Sequence, residues 1–240
     1  EPFLESIRQL RLDLWQENTL FVHLTLLPYL AASKELKTKP TQLSVRDLKR
    51  VWIAPDIILT RADQRIEKWI LKKVAMFCWV DENAVLPMET LNSIYKVPLK
   101  LEKNWISEII SKKLNFEYKK PDLKKWEDLV EKINSKKEKL KIWIAVKYQW
   151  LEDAYLSVVE SLKTACLYKW FDLDLIWIDT EKLEKIENLN EEDKRIWEIE
   201  LQKLKSVKWV CVPWWFWNRW VEWKIFVAKY CRENKIPYLW

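Results

Sequence analysis

Apolar residues recur at helical spacing through residues 3–15 (Phe3, Leu4, Ile7, Leu10, Leu14), then run with β-branched content through residues 19–29. A helix followed by a buried strand is predicted. A polar segment, residues 33–42, comes next, and a helix is expected to begin at Ser44, a natural N-cap. Residues 56–60 (Asp-Ile-Ile-Leu-Thr) read as a strand ending at Arg61, residues 65–76 as a helix, and residues 84–91 as a strand and loop. Residues 103–137 are helical in pattern and highly charged, with Pro121 between two segments. From Leu140 the pattern restarts: strands 140–146, 172–178, 208–212 and 236–239 alternate with helices 152–166, 190–205 and 221–234. Such βα alternation predicts an α/β fold with parallel sheets. The charged stretch sets the expected organisation: a first domain over 1–118, a linker helix region over 119–139 and a second domain over 140–240.

One stretch of the second domain departs from ordinary loop chemistry. An apolar run ends at Pro213, and Trp214-Trp215-Phe216-Trp217-Asn218-Arg219-Trp220 lead into the last helix. Free N–H groups at such a helix start suit an anion or a substrate. A tight loop there normally needs glycine, which alone takes φ > 0 without steric cost. Tryptophan stands at each expected glycine. The same holds along the chain: there are 18 Trp and no Gly in 240 residues, where ordinary usage gives roughly 17 glycines. Trp15, Trp52, Trp143, Trp150, Trp170, Trp209 and Trp240 sit where strands or helices meet turns, while Trp126, Trp177 and Trp197 sit inside plausible helix or strand patterns. A tryptophan-rich binding surface leaves the missing glycine unexplained. Replacement of glycine by tryptophan explains both.

With glycine restored, the loop reads V-P-G-G-F-G-N-R-G-V-E-G-K, followed by A-K-Y-C-R-E-N-K-I-P-Y-L-G. This resembles the glutamine amidotransferase domain of the CTP synthases. The stretch Phe21-Val22-His23-Leu24-Thr25-Leu26-Leu27-Pro28-Tyr29, then Lys37-Thr38-Lys39-Pro40-Thr41-Gln42, then Pro55-Asp56-Ile57-Ile58 resemble that family's synthetase domain. Two motif sets in the right order make the resemblance specific. Two departures stand out: Leu43 where the family has His, and Val146 where it has Gly.

The resemblance implies two parallel-sheet, three-layer domains, Rossmann-like or flavodoxin-like, both incomplete in this chain. It implies ATP-dependent amination of UTP to CTP with ammonia drawn from glutamine. The UTP/CTP-binding segment falls on Lys37, Thr38, Lys39, Pro40, Thr41 and Gln42, with Lys73 as a further lysine. The residues suit this: Lys37 and Lys39, two apart, point the same way in extended backbone, and Pro40 biases Lys39 to extended geometry. Their ammonium groups suit a triphosphate, and the Gln42 amide can read a base edge. Arg61, Glu89, Thr90 and Leu91 fall at the family's ATP site, with backbone contacts expected from the last three. Trp215 and Phe216 fall on the glutamine and oxyanion loop, where N–H donors hold developing charge. Mg2+ is an expected cofactor and GTP an expected allosteric activator, and the intact enzyme is expected to be a tetramer. The family's P-loop and Mg2+ carboxylates would precede Glu1, and its nucleophilic cysteine would follow Trp240. No catalytic residue and no metal ligand is therefore expected within the chain, which is expected to be inactive alone.

Composition narrows the alternatives. A net charge of +6 suits small anionic substrates and is too weak to argue for nucleic acid. No apolar run approaches a membrane span, and no signal peptide is recognised, so a cytoplasmic protein is expected. The four cysteines (Cys78, Cys166, Cys211, Cys231) form no CxxC, and with one His a zinc site is not expected. They read as reduced thiols, and Cys231 lacks a local base. His23 reads as a satisfied strand residue, Glu5 as a helix N-terminal carboxylate, and Lys72 as solvent-facing. Two other functional readings are a designed or altered scaffold that keeps the family pattern without activity, and an aromatic-basic nucleic-acid binder. The tryptophans follow turns and do not line one basic face, which argues against the binder.

Overall fold

The computed structural model describes residues 2–146, 152–179, 191–213 and 221–239. The chain divides into two compact units, Glu1–Glu131 and Lys132–Trp240.

The first unit opens with helix α1 (Pro2–Leu14), in which no residue is buried. Strand β1 (Val22–Leu26) is shorter than its apolar run, because the chain turns into a hairpin of β2 (Tyr29–Leu30) and β3 (Glu35–Leu36). Helix α2 (Lys39–Arg50) follows. It starts five residues before the expected cap Ser44, so the expected polar loop is half hairpin and half first helical turn. Pro40 did not hold Lys39 extended. It sits in the first turn of the helix, where a missing N–H costs nothing. Ser44 lies inside α2, and its hydroxyl is 2.9 Å from His23 Nε2.

Strand β4 (Ile57–Ala62), helix α3 (Lys68–Cys78) and strand β5 (Val85–Glu89) complete a parallel sheet of order β1-β4-β5. Alternate residues face opposite sides. Ile58, Ala62 and Val85 pack with Val45 of α2 and Ile70 and Val74 of α3. Ile57 and Leu86 pack on the other face with Ile106, Ile109 and Ile110. Helix α4 (Val97–Lys103) precedes the predicted tract 103–137, which holds two helices on either side of Pro121, α5 (Ile106–Lys113) and α6 (Lys124–Asn134). Trp105, at φ 61 and ψ 29, separates α4 from α5.

The second unit follows its predicted alternation closely: β6 (Glu138–Val146), α7 (Leu156–Tyr168), β7 (Phe171–Asp179), α8 (Glu191–Lys205), β8 (Trp209–Cys211), α9 (Val221–Glu233) and β9 (Tyr238–Leu239). The sheet is parallel, order β7-β6-β8-β9. Ile142 and Cys211 pack with Cys166 and Leu162 of α7 on one face. Ala145, Ile178 and Val210 pack with Leu204 of α8 and Val227 of α9 on the other. Helices on both faces make this unit three-layered, as expected. Trp143 is a correction: it is not at a strand end but in the middle of β6, fully buried, with no hydrogen-bond partner for Nε1 among the described residues.

His23 is half-buried, and burial lowers its pKa. The unfolded chain therefore takes up a proton near the ordinary value of about 6.5 that the folded chain refuses, so stability from neutral His23 is present above that value and lost as pH falls through it. The melting temperature is expected to drop between about pH 7.5 and 5.5, and His23→Asn to flatten that slope. Identical slopes in a calorimetric pH series would exclude His23 as the group responsible.

Candidate anion cavity

In parallel α/β sheets ligands gather outside the carboxyl ends of the strands. The chain leaves β1 at that end, where Leu27 N–H donates to Arg61 O at 2.7 Å and Lys37 N–H to Pro28 O at 2.9 Å. These bonds fold the β2–β3 hairpin back over the start of α2. Thr38, 6% exposed, sits in the α-region just before that helix. Its carbonyl accepts from Gln42 N–H at 3.1 Å, and its hydroxyl accepts from Gln42 Nε2 at 3.1 Å. Thr41 is fully buried, with its hydroxyl 3.0 Å from Thr25 Oγ1 and donating to Leu26 O at 3.2 Å. Thr38 thus holds the first helical turn together through Gln42, and Thr41 fastens it to the end of β1.

This packing forms a cavity of about 450 Å3. Lys37, Thr38, Lys39 and Gln42 line one wall, and Lys73 of α3 lines the other with Trp69 and Phe77. Pro40 and Thr41 are not on the wall; they build it. Lys37 and Lys39 line the same cavity, but from a hairpin end and a helical turn rather than from one extended strand. Lys72 points elsewhere, 3.2 Å from Glu82. A neighbouring cavity of about 430 Å3 shares Lys39, Gln42 and Phe77 and adds Arg46 and Trp79. Glu35 is the single carboxylate lining the first cavity, and it pairs with Lys37. Its hydrogen bond and charge interaction with Lys37 hold its pKa below the ordinary value.

Trp69, Phe77 and Glu35 were not anticipated as wall residues. Trp69, Lys73 and Phe77 recur every fourth position on one helix, which is a same-face signal. Glu35 lies two residues from Lys37, at the strand repeat.

The residues expected at the ATP site also gather at strand ends. Arg61 is exposed near the end of β4, paired in register with Leu26 and Met88. Glu89 ends β5 opposite Ala62. Its carboxylate is spent internally: Oε2 lies 2.6 Å from Lys100 Nζ, and Oε1 accepts from Ile66 N–H at 3.5 Å. Burial is the largest single influence and raises its pKa, but the bond and charge of Lys100 together with backbone N–H bonds, including that of Ile66, make the net shift downward. Thr90 N–H donates to Ala62 O at 2.8 Å and its hydroxyl to Asp63 Oδ1 at 2.7 Å. Leu91 is half-buried. Trp215 and Phe216 lie outside the described residues.

All four cysteines are buried and free. Burial pushes the Cys231 thiol up to about 11, the wrong direction for a nucleophile. Among the described residues no group of His, Cys, Asp and Glu could hold a metal ion, and no helix is long and apolar enough to cross a membrane.

Fold and cavity together define a two-unit parallel α/β protein with a lysine-walled anion cavity beside the carboxyl ends of its first sheet. Residues 1–116 match the family model described as CTP synthase N-terminus. Over 99% of its length the chain is 43% identical to the CTP synthase of Carboxydothermus hydrogenoformans. It is likewise 43% identical to that of Roseiflexus sp. (strain RS-1) over 99% of the chain, and to that of Dehalococcoides mccartyi (strain ATCC BAA-2100 / JCM 16839 / KCTC 5957 / BAV1) over its full length. The chain is thus similar to the CTP synthases, and it spans 42%, 41% and 42% of the length of these three. A solved structure, the Trypanosoma brucei CTPS glutaminase domain with bound acivicin, is 29% identical, covers 41% of this chain and 34% of that one, and has a TM-score of 0.33. A TM-score that low supports no argument about fold.

Proposed function

We propose that the chain is a portion of a glutamine-dependent CTP synthase, which phosphorylates UTP at the pyrimidine 4-oxygen with ATP and displaces that group with ammonia from glutamine. The observation that carries this reading is the convergence of Lys37, Lys39 and Lys73 on one cavity. Three ammonium groups fit a nucleoside triphosphate as clustered point charges. In this reading Lys37–Gln42 and Lys73 serve UTP and CTP, with Pro40 and Thr41 holding the helix start in place. Arg61 and the backbone of Glu89–Leu91 serve ATP. Trp215 and Phe216 belong to the glutamine loop.

The synthetase part then covers 1–118, the linker region 119–139 and the amidotransferase part 140–240. Mg2+ belongs to the same reading as a companion of the nucleotides. Among the described residues no group of His, Cys, Asp and Glu could hold a resident metal. GTP activation, a tetrameric assembly and a cytoplasmic location are parts of the same proposal.

We infer further that tryptophan occupies sites shaped for glycine. Five of the eight positive-φ residues described are tryptophans: Trp15, Trp52, Trp79, Trp105 and Trp170. A bulky residue at such angles is a rare outlier. Trp79 and Trp105 extend the set read from sequence. Trp126 behaves differently, donating from Nε1 to Tyr95 O at 2.5 Å from within a helix.

The direct test is calorimetric titration of the chain with UTP. Saturable, salt-sensitive binding that CTP competes for is expected, and failure of UTP to bind at millimolar concentration at low salt would sink the assignment.

A further inference from the structure

We propose that Glu35 is a tethered counter-anion of the lysine cavity, an internal stand-in for a ligand phosphate that keeps inorganic phosphate out and yields to a triphosphate; this rests on the cavity being a phosphate site. Three ammonium groups and one carboxylate line the wall. That carboxylate is bound to one of the three, Lys37, and its side chain and that of Lys37 are 47% and 38% exposed. The pair is therefore at the cavity mouth, where a ligand must meet it. Glu35 and Lys73 line the same cavity from different elements, and Lys73 and Ser33 both favour the ionised carboxylate.

A tethered carboxylate competes at high effective concentration, because it gives up little freedom on pairing. Inorganic phosphate is a small dianion. It must displace Glu35 to reach Lys37, and it gains one or two ammonium contacts in return. A triphosphate reaches Lys39 and Lys73 as well, and so recovers more than the displacement costs. The empty site is then not filled by whatever small anion is abundant. A repulsive group against the wrong ligand is a general route to specificity.

The test uses the full chain and its Glu35→Gln and Glu35→Asp variants, titrated with tripolyphosphate and with inorganic phosphate. Glu35→Gln is expected to tighten tripolyphosphate binding roughly three- to fivefold, the scale of one exposed ion pair. Millimolar inorganic phosphate should then compete with tripolyphosphate in Glu35→Gln and have little effect in the wild type. Glu35→Asp, which keeps the charge on the same hairpin, should stay near wild type. Weaker tripolyphosphate binding in Glu35→Gln would overturn the proposal and make Glu35 a positioner of Lys37. Unchanged binding of both probes would reduce it to an ordinary surface ion pair. If the wild type binds no tripolyphosphate, the phosphate reading of the cavity fails first.

Discussion

Replacing Trp15, Trp52, Trp79 and Trp105 together by glycine is expected to raise the melting temperature of the first unit by on the order of 10 °C. Trp79 (φ 56, ψ 48) and Trp105 are left-handed, and Trp15 (φ 68, ψ 149) lies in a region that is essentially glycine's own. Holding a non-glycine residue there costs roughly 1–3 kcal/mol. Glycine returns part of that through the greater freedom of its unfolded state, about 0.5–1 kcal/mol. A net gain of about 1 kcal/mol per site remains. Little packing is lost in exchange, because Trp79 is 88% and Trp52 83% exposed. Trp126→Gly is the control. It puts glycine inside a helix, at about 1 kcal/mol, and removes the bond to Tyr95 as well. Calorimetry should show the two substitutions moving in opposite directions. If the four positive-φ sites lose stability on becoming glycine, tryptophan is native there and the glycine reading is wrong.

Removing two of the three cavity cations, Lys37→Gln with Lys73→Gln, is expected to weaken UTP binding by roughly 10- to 100-fold at low salt, about 1 kcal/mol or somewhat more for each charge-assisted contact. The two lysines stand on opposite walls, so each single variant should lose part of the effect. The dependence on ionic strength should flatten as charges are removed, since screening acts on fewer pairs. Lys72→Gln is the matched control. It is next to Lys73 in the chain, but it pairs with Glu82 and lies off the cavity. Equal losses from Lys72→Gln and Lys73→Gln in a titration would mean that net charge alone attracts the nucleotide, without a defined site.

Much of the second unit was legible because a buried parallel sheet needs unbroken apolar strands and amphipathic helices between them, and residues 140–239 show both. The start of α2 was not legible. Ser44 offered a natural cap, yet the helix begins at Lys39, where Thr38 bonds locally to the Gln42 side chain and Thr41 finds partners at the end of β1. The break at Pro121 in the charged tract 103–137 was legible, and α5 and α6 lie on either side of it. The stop at Trp105 was not, because charge and periodicity continue through it and its left-handed angles belong to the path the chain takes there.

Sequence alone determined the α/β class, the parallel alternation, the absence of glycine and the cationic segment around Lys37–Gln42, since each is carried by spacing or composition within a short window. The folded structure decided which of those cations meet. Lys73 shares a cavity with Lys37 and Lys39 because α3 packs beside α2 on one face of the sheet, and Glu35 joins them at its mouth from the β2–β3 hairpin. Local periodicity fixes which way a side chain points along its own element. Only the packing of one element on another fixes what it faces.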